Sequence, residues 1–279
     1  MVKKFIPLVL ALGFIMTGMS LAQDLSNPLL PTYQRPPIYI GPVFGYNRSM
    51  HSVDLASFDE AICPRFQNGD ANGFYAGLSW EQMLGDLASS NSSFIVRVLY
   101  NTMPANLETS ENPIPSLVTV VDANGNPSSE VILNSSTTHT QEIKYSMITG
   151  EVMYKLNPFG AGLPLGFTIG PTFDFAMSKT QSQKYKLVTP LEAQFKRNDA
   201  AGYRYEDNDR TIVIKDGDIP ESSSFRFGLK AGVQYEIITS GKMYIVPAMY
   251  YNFGVTNLSS RENWRVNALQ VGVDIRFAL

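Results

Sequence analysis

The 279-residue sequence predicts an all-β protein, an eight-stranded antiparallel transmembrane β-barrel with long outer loops and short periplasmic turns. Three observations carry that expectation. In residues 264–279, Leu269, Val271, Val273, Ile275, Phe277 and Leu279 alternate with Ala268, Gln270, Gly272, Asp274, Arg276 and Ala278. Strict alternation marks a strand with two chemically different faces, which a membrane barrel requires: lipid outside, a polar lumen within. Similar alternation recurs upstream, and the links between the alternating stretches are short and long by turns. A soluble sandwich has no reason to sort its connections by parity, whereas a membrane barrel keeps short turns on one side and long loops on the other.

Composition agrees. Charged residues are 17% of the chain, below the roughly one quarter usual in soluble domains. A mean hydropathy of -0.07, with no long apolar run after the N-terminus, excludes a helical membrane protein. Barrel strands leave only a weak hydropathy signal because half their residues are polar. A net charge of -3 argues against a nucleic-acid partner. The single cysteine, Cys63, allows no internal disulfide and is expected to be a reduced loop thiol.

In chain order, residues 1–22 read as a signal peptide. Lys3 and Lys4 precede a short apolar core at 5–16, and Ser20-Leu21-Ala22 forms a small-x-small cleavage site, making Gln23 the mature start. Residues 23–36 form an irregular lead-in, broken by Pro31 and Pro36, and 37–279 form the barrel. The first strand spans 38–47, with a bulge expected at Pro42 because proline cannot donate to a ladder. A mixed loop through Cys63 leads to a strand at 73–84, then one around 94–101. The insertion 104–142 is expected to be a loop containing a small hairpin, 117–121 against 130–133, turned at Asn124-Gly125. Strands at 143–156 and 164–177 follow, joined by a Pro/Gly turn. Lys144, on the outward parity, places the start of the former above the lipid. The longest insertion, 178–223, is rich in charge and holds a short strand at 212–214. Strands at 224–237 and 242–255 flank the Ser240-Gly241 turn, and 264–279 closes the set.

Parity sorts the side chains. Tyr46, Phe74, Trp80, Tyr100, Tyr154, Phe225, Tyr235 and Tyr251 fall outward near strand ends, where aromatic girdles belong. Glu81, Arg97, Glu151, Asp174, Arg226, Lys230, Glu236, Asp274 and Arg276 fall inward. Eight strands leave an interior that side chains can fill. Unpaired charges there would cost several kcal/mol each, so a paired network plugging the lumen is expected, with glycines making room.

On the signal peptide, the Gly/aromatic strands and the 269–279 ending, the chain resembles small bacterial outer-membrane barrels of the OmpA-like and PorT-like families. The resemblance implies that the barrel-assembly machinery reads the terminal strand. This chain ends Phe277-Ala278-Leu279 rather than on an aromatic residue, and no peptidoglycan-binding domain is expected after the barrel.

Chemistry is sparse. A hydrolase would need a histidine within reach of a serine and oriented by a carboxylate. Only His51, beside Ser49, Ser52 and Asp54, and His139, near Ser135, Ser136 and Glu142, exist, both expected in outer loops. Asp207-Asn208-Asp209 and the set Asp122, Asn124, Asn126 offer oxygens but lack calcium-loop spacing. No cofactor, metal or catalytic residue is therefore expected. The function expected is structural or surface-binding, through long extracellular loops on a plugged, monomeric barrel, with outer-membrane lipid and an unidentified extracellular ligand as partners. The alternatives are a narrow porin-like channel, separable by conductance, and a secreted lipocalin-like ligand-binding barrel, whose apolar side would face inward.

Overall fold

The computed structural model describes residues 37–56, 65–85, 90–121, 124, 127–159, 163–198, 202–240, 242–259 and 263–279. The signal peptide, the lead-in up to residue 36, Cys63, Asp122, Gly125 and Asn126 lie outside them.

Among the described residues the chain is all strand and turn. Its strands are β1 (Ile38–Ala56), β2 (Arg65–Leu84), β3 (Ser92–Thr102), β4 (Ala105–Val121), β5 (Pro127–Leu156), β6 (Leu165–Thr189), β7 (Ala193–Gln194), β8 (Arg204–Glu206), β9 (Thr211–Asp218), β10 (Phe225–Tyr235), β11 (Ile237–Ser240), β12 (Met243–Gly254) and β13 (Arg265–Ala278). Eight of them pair in a closed cycle: β1 with β2, β2 with β3, β3 with β5, β5 with β6, β6 with β10, β10 with β12, β12 with β13, and β13 back to β1. Every pairing is antiparallel, so no strand of the cycle is left with a bare edge along its paired length. Tyr39 faces Ala278 in register, which sets the two ends of the cycle side by side with the turns after β2, β5 and β11.

Two expectations change here. The wall does not stop where the alternating apolar pattern stops. β1 runs nine residues past 47, β2 begins at Arg65, and β5 and β6 are 30 and 25 residues long. The insertion expected as a loop at 104–142 is instead one long hairpin of β4 on β5, pairing from Ala105↔Ile143 out to Val121↔Pro127. With β7, β8 and β9 added at the sides, β4, β5 and β6 continue beyond the ring as an upright sheet. Serine and threonine dominate residues 135–140, which removes the apolar signal while leaving good strand formers.

The bulge expected at Pro42 is also absent. Ile40↔Phe277 and Val43↔Asp274 share one register, and Pro42 sits opposite Leu78 on the other side. The ladder to β13 lapses across Gly41 and Pro42 instead of shifting, so the missing N–H is absorbed without an extra residue.

Candidate functional site

The interior of the ring holds the molecule's buried polar chemistry, and it is layered. At the short-turn end Tyr39, Met83, Tyr244, Val246 and Ala278 form a small apolar floor, with the Tyr39 and Tyr244 rings edge to face at 5.1 Å. Above it stand the charges. All nine residues assigned inward by parity lie on the interior side, and the structure adds a tenth, Lys155, which is buried. Glu81, Glu151, Asp174, Glu236 and Asp274 give five negative charges; Arg97, Lys155, Arg226, Lys230 and Arg276 give five positive ones. With Lys155 the set sums to zero. Its parity matches Glu151 on the same strand, so the signal for it was present in the alternation of β5.

Eight of the ten form one connected web. Lys155 bridges Glu81 and Glu236. Arg276 pairs with Glu81, and donates to Asp274 at 2.9 Å and to the Gln234 amide oxygen at 2.6 Å. Arg97 donates to Asp274 at 2.7 Å and to the Tyr250 hydroxyl at 2.7 Å, and lies 3.6 Å from Glu151. Lys230 donates to Glu151 at 2.6 Å, with its ammonium 4.6 Å from the Tyr250 ring centre and 5.4 Å from that of Tyr75. Tyr75 lies across the facing pair Gly45 and Gly272. A methyl on Gly272 would sit 2.2 Å from its hydroxyl, so glycine is what lets the ring lie there. The remaining two charges form a separate pair, Arg226 with Asp174 at 2.6 Å, and Asp174 also accepts from Thr149 at 2.6 Å.

Above that pair the interior turns apolar. Trp264, Phe66, Met103, Ile143, Tyr145, Met147, Val266 and their neighbours form the largest buried apolar cluster among the described residues. His51 is built into it, which corrects its expected loop position. The Trp264 indole N–H donates to Nδ1 at 3.1 Å, so Nε2–H is left to donate to the Met103 carbonyl at 3.1 Å. His51 lies five residues beyond Tyr46, the last exposed aromatic side chain of β1. Burial pushes its pKa down to about 3, aided by the nearby Arg226 cation, although the carbonyl of Met103 opposes the shift. Ser49 beside it donates to the Pro104 carbonyl. With both ring nitrogens occupied and the ring 2% exposed, His51 is placed to brace a core, not to take a proton from a substrate.

The polarity of each wall face swaps at one level. On β13, Leu269, Val271 and Phe277 face out while Gln270, Asp274 and Arg276 face in; above Leu269, Arg265 faces out and Val266 and Ala268 face in. On β5, Ile148 and Leu156 face out over Thr149, Glu151 and Lys155; above Ile148, Glu142 and Lys144 face out over Ile143, Tyr145 and Met147. The exposed aromatic pairs Phe74–Tyr100 and Phe175–Phe225, with ring centres 5.8 and 5.3 Å apart, lie next to this level. From Leu269 to the end of the chain the outward apolar stretch is ten steps, ~33 Å along a strand and ~25 Å along the axis of a ring tilted by ~40°.

The upright sheet carries its own small core of Val118, Leu187, Ala193, Val131 and Phe195. His139, the other expected loop histidine, is buried on β5 and stacks on Tyr185 with ring centres 4.2 Å apart. Arg210 was not anticipated. Its guanidinium donates to the carbonyls of Leu187, Val188, Pro190, Leu191 and Ala193, clamping the turn between β6 and β7. Asp207, Asn208 and Asp209 all adopt left-handed backbone angles, φ 53°, 53° and 61°. Their carboxylates are engaged by protein: Asp207 accepts from Thr211 at 2.8 Å, and Asp209 takes two 2.8 Å bonds from Arg197. Among the described residues no cluster of three or more metal-ligating groups occurs.

No protein-family model matches the chain, and neither does any curated protein. Among solved structures, Neisserial surface protein A is 11% identical, covering 87% of this chain and 97% of its own, at a TM-score of 0.32. The attachment invasion locus protein Ail of Yersinia pestis is 13% identical, with coverage of 87% and 100% and a TM-score of 0.33. The outer membrane protein OprG from Pseudomonas aeruginosa is 11% identical, with coverage of 88% and 98% and a TM-score of 0.31.

Proposed function

We propose that the ring is a transmembrane β-barrel of the bacterial outer membrane, with an ionic plug in its lumen and a surface-binding role for the upright sheet. The polarity swap supports this reading more than any other observation. A soluble barrel would need polar side chains outward over its whole height, and a ligand-binding barrel of lipocalin type would need its apolar face inside. Here Asp274 and Arg276 are 1% and 2% exposed while Phe277 between them and Ala278 is 44% exposed. That order is favourable only where the surroundings of the wall are apolar. In this reading the short turns are periplasmic, the signal peptide directs export, and the terminal strand engages the assembly machinery. The barrel is a monomer, and an extracellular ligand meets the sheet built on β4, β5 and β6.

The test is fractionation followed by electrophoresis and electrical recording. The protein should sediment with outer membranes, resist extraction by urea or alkali, and migrate faster unheated than boiled. In planar bilayers it should show no sustained open level, because eight interior charges form one web through the lumen. Stable open channels would replace the plug by a porin-like conduit. Release without detergent would remove the membrane assignment itself.

A further inference from the structure

We infer that the outer wall carries a preformed slot for one acyl chain of a membrane lipid, floored by Ala231 on β10. This rests on the membrane reading above. A depression of about 660 Å³ opens on the outer face of the ring, lined across β5, β6, β10, β12 and β13. Its floor is the exposed methyl of Ala231. Register places Ala231 between Ile169 and Tyr251, and Val233 beside it between Phe167 and Met249, so large side chains stand on both sides of a small one.

Three features choose the occupant. No charged side chain lines the depression, so nothing there would hold a headgroup or an ionic partner. It is continuous with the outward apolar belt, its lining running from Leu156 and Phe167 near the short turns to Leu269 at the polarity swap. Engineered apolar cavities of ~150 Å³ hold a benzene ring, and this one, about four times larger, suits a long flexible chain. A second copy of the same wall is a poorer match. A two-fold contact through the slot would set depression against depression and leave it unfilled.

The experiment is photo-labelling in phosphatidylcholine vesicles containing a phosphatidylcholine with a diazirine on its acyl chain. Insertion sites on the full-length protein are then mapped by mass spectrometry. Insertion should be several-fold higher at Ile169, Phe167, Met249 and Tyr251 than at Leu78 and Val98. Those control residues are 63% and 58% exposed and lie on β2 and β3, away from the slot. Ala231→Trp should bring slot labelling down to the control level, and Ala231→Leu, a milder filling, should lower it part-way. Equal labelling of both walls in the unmodified protein would overturn the slot while leaving the membrane reading intact. No labelling on either wall would remove both. Protein–protein adducts through Ala231 in place of lipid adducts would overturn the slot in favour of a second copy.

Discussion

The interior below the polarity swap and the interior above it are made by the same strands, yet they are opposites. Below, ten charges stand within a wall whose outer face is Phe, Leu, Ile and Val; above, Trp264, Phe66 and Met103 fill a wall whose outer face carries Arg265, Lys144 and Glu142. The contrast shows that the character of a β-face is set by what lies across the wall. Where water bathes the outside, the inside gains from apolar burial, as in any soluble domain. Where the outside is already greasy, apolar burial inside is no longer the alternative to water, and paired charges become tolerable.

The largest effect tests the lower region. Arg97 touches Asp274, Tyr250 and Glu151, and its side chain is fully buried. Arg97→Met should cost about 3–5 kcal/mol, because two carboxylates lose a cation they cannot replace with water. Urea titration of the protein in detergent micelles measures it. Arg97→Met combined with Asp274→Asn should recover part of the loss. If the single substitution is neutral, the web is not what holds the lower interior.

Trp264→Ala addresses the upper region and should cost about 3 kcal/mol, the lower end for removing a buried aromatic ring, since a cluster at the open end can partly collapse. It also strips the indole donor from His51. Adding Asp274→Asn should recover none of its cost, whereas the same change recovers part of the cost of Arg97→Met. The pair of variants thus separates an ionic interior from an apolar one by the chemistry of the response.

These differences also explain what could be read from the chain alone. Alternation on β13, β10 and the lower half of β5 depends only on local parity, so the outward and inward sets follow directly from the residues. The inversion at the swap does not hide residues 143–147, which the sequence predicts as strand with Lys144 outward; the extension beyond them does not announce itself because the Ser/Thr run at 135–140 carries no apolar alternation. The upper cluster was invisible for another reason. Phe66, Met103, Ile143 and Trp264 come from four separate segments, and only strand pairing brings them together. Arg210 is in the same position, since nothing near it in sequence marks the carbonyls of residues 187–193 as its partners.

The next effect is smaller and depends on pH. His51 is held neutral with its pKa lowered to about 3, while in the unfolded chain it titrates near 6.5. The unfolded state therefore binds the extra proton first. Stability from this group is complete above the unfolded value and falls as pH drops through the window between 6.5 and about 3, by ~1.4 kcal/mol per unit. His51→Gln should lose some stability at neutral pH yet show a flatter decline below pH 6. Urea midpoints of both proteins across that range supply the comparison, and parallel declines would show that the lower carboxylates, not His51, govern acid sensitivity.

The smallest expected effect lies on the outside of the same wall, just above the swap. Arg48 donates to Asp70 at 2.6 Å, but both side chains are about half exposed, 56% and 49%. Water competes for both, and two flexible side chains must be ordered to meet. Arg48→Ala should therefore change stability by less than ~1 kcal/mol at low salt and by still less at high salt, in contrast to Arg97→Met on the inside. A short pair at 2.6 Å and another at 2.7 Å differ here only in what surrounds them. If Arg48→Ala matched the cost of Arg97→Met, distance would outweigh surroundings, and the account of the two interiors would lose its physical basis.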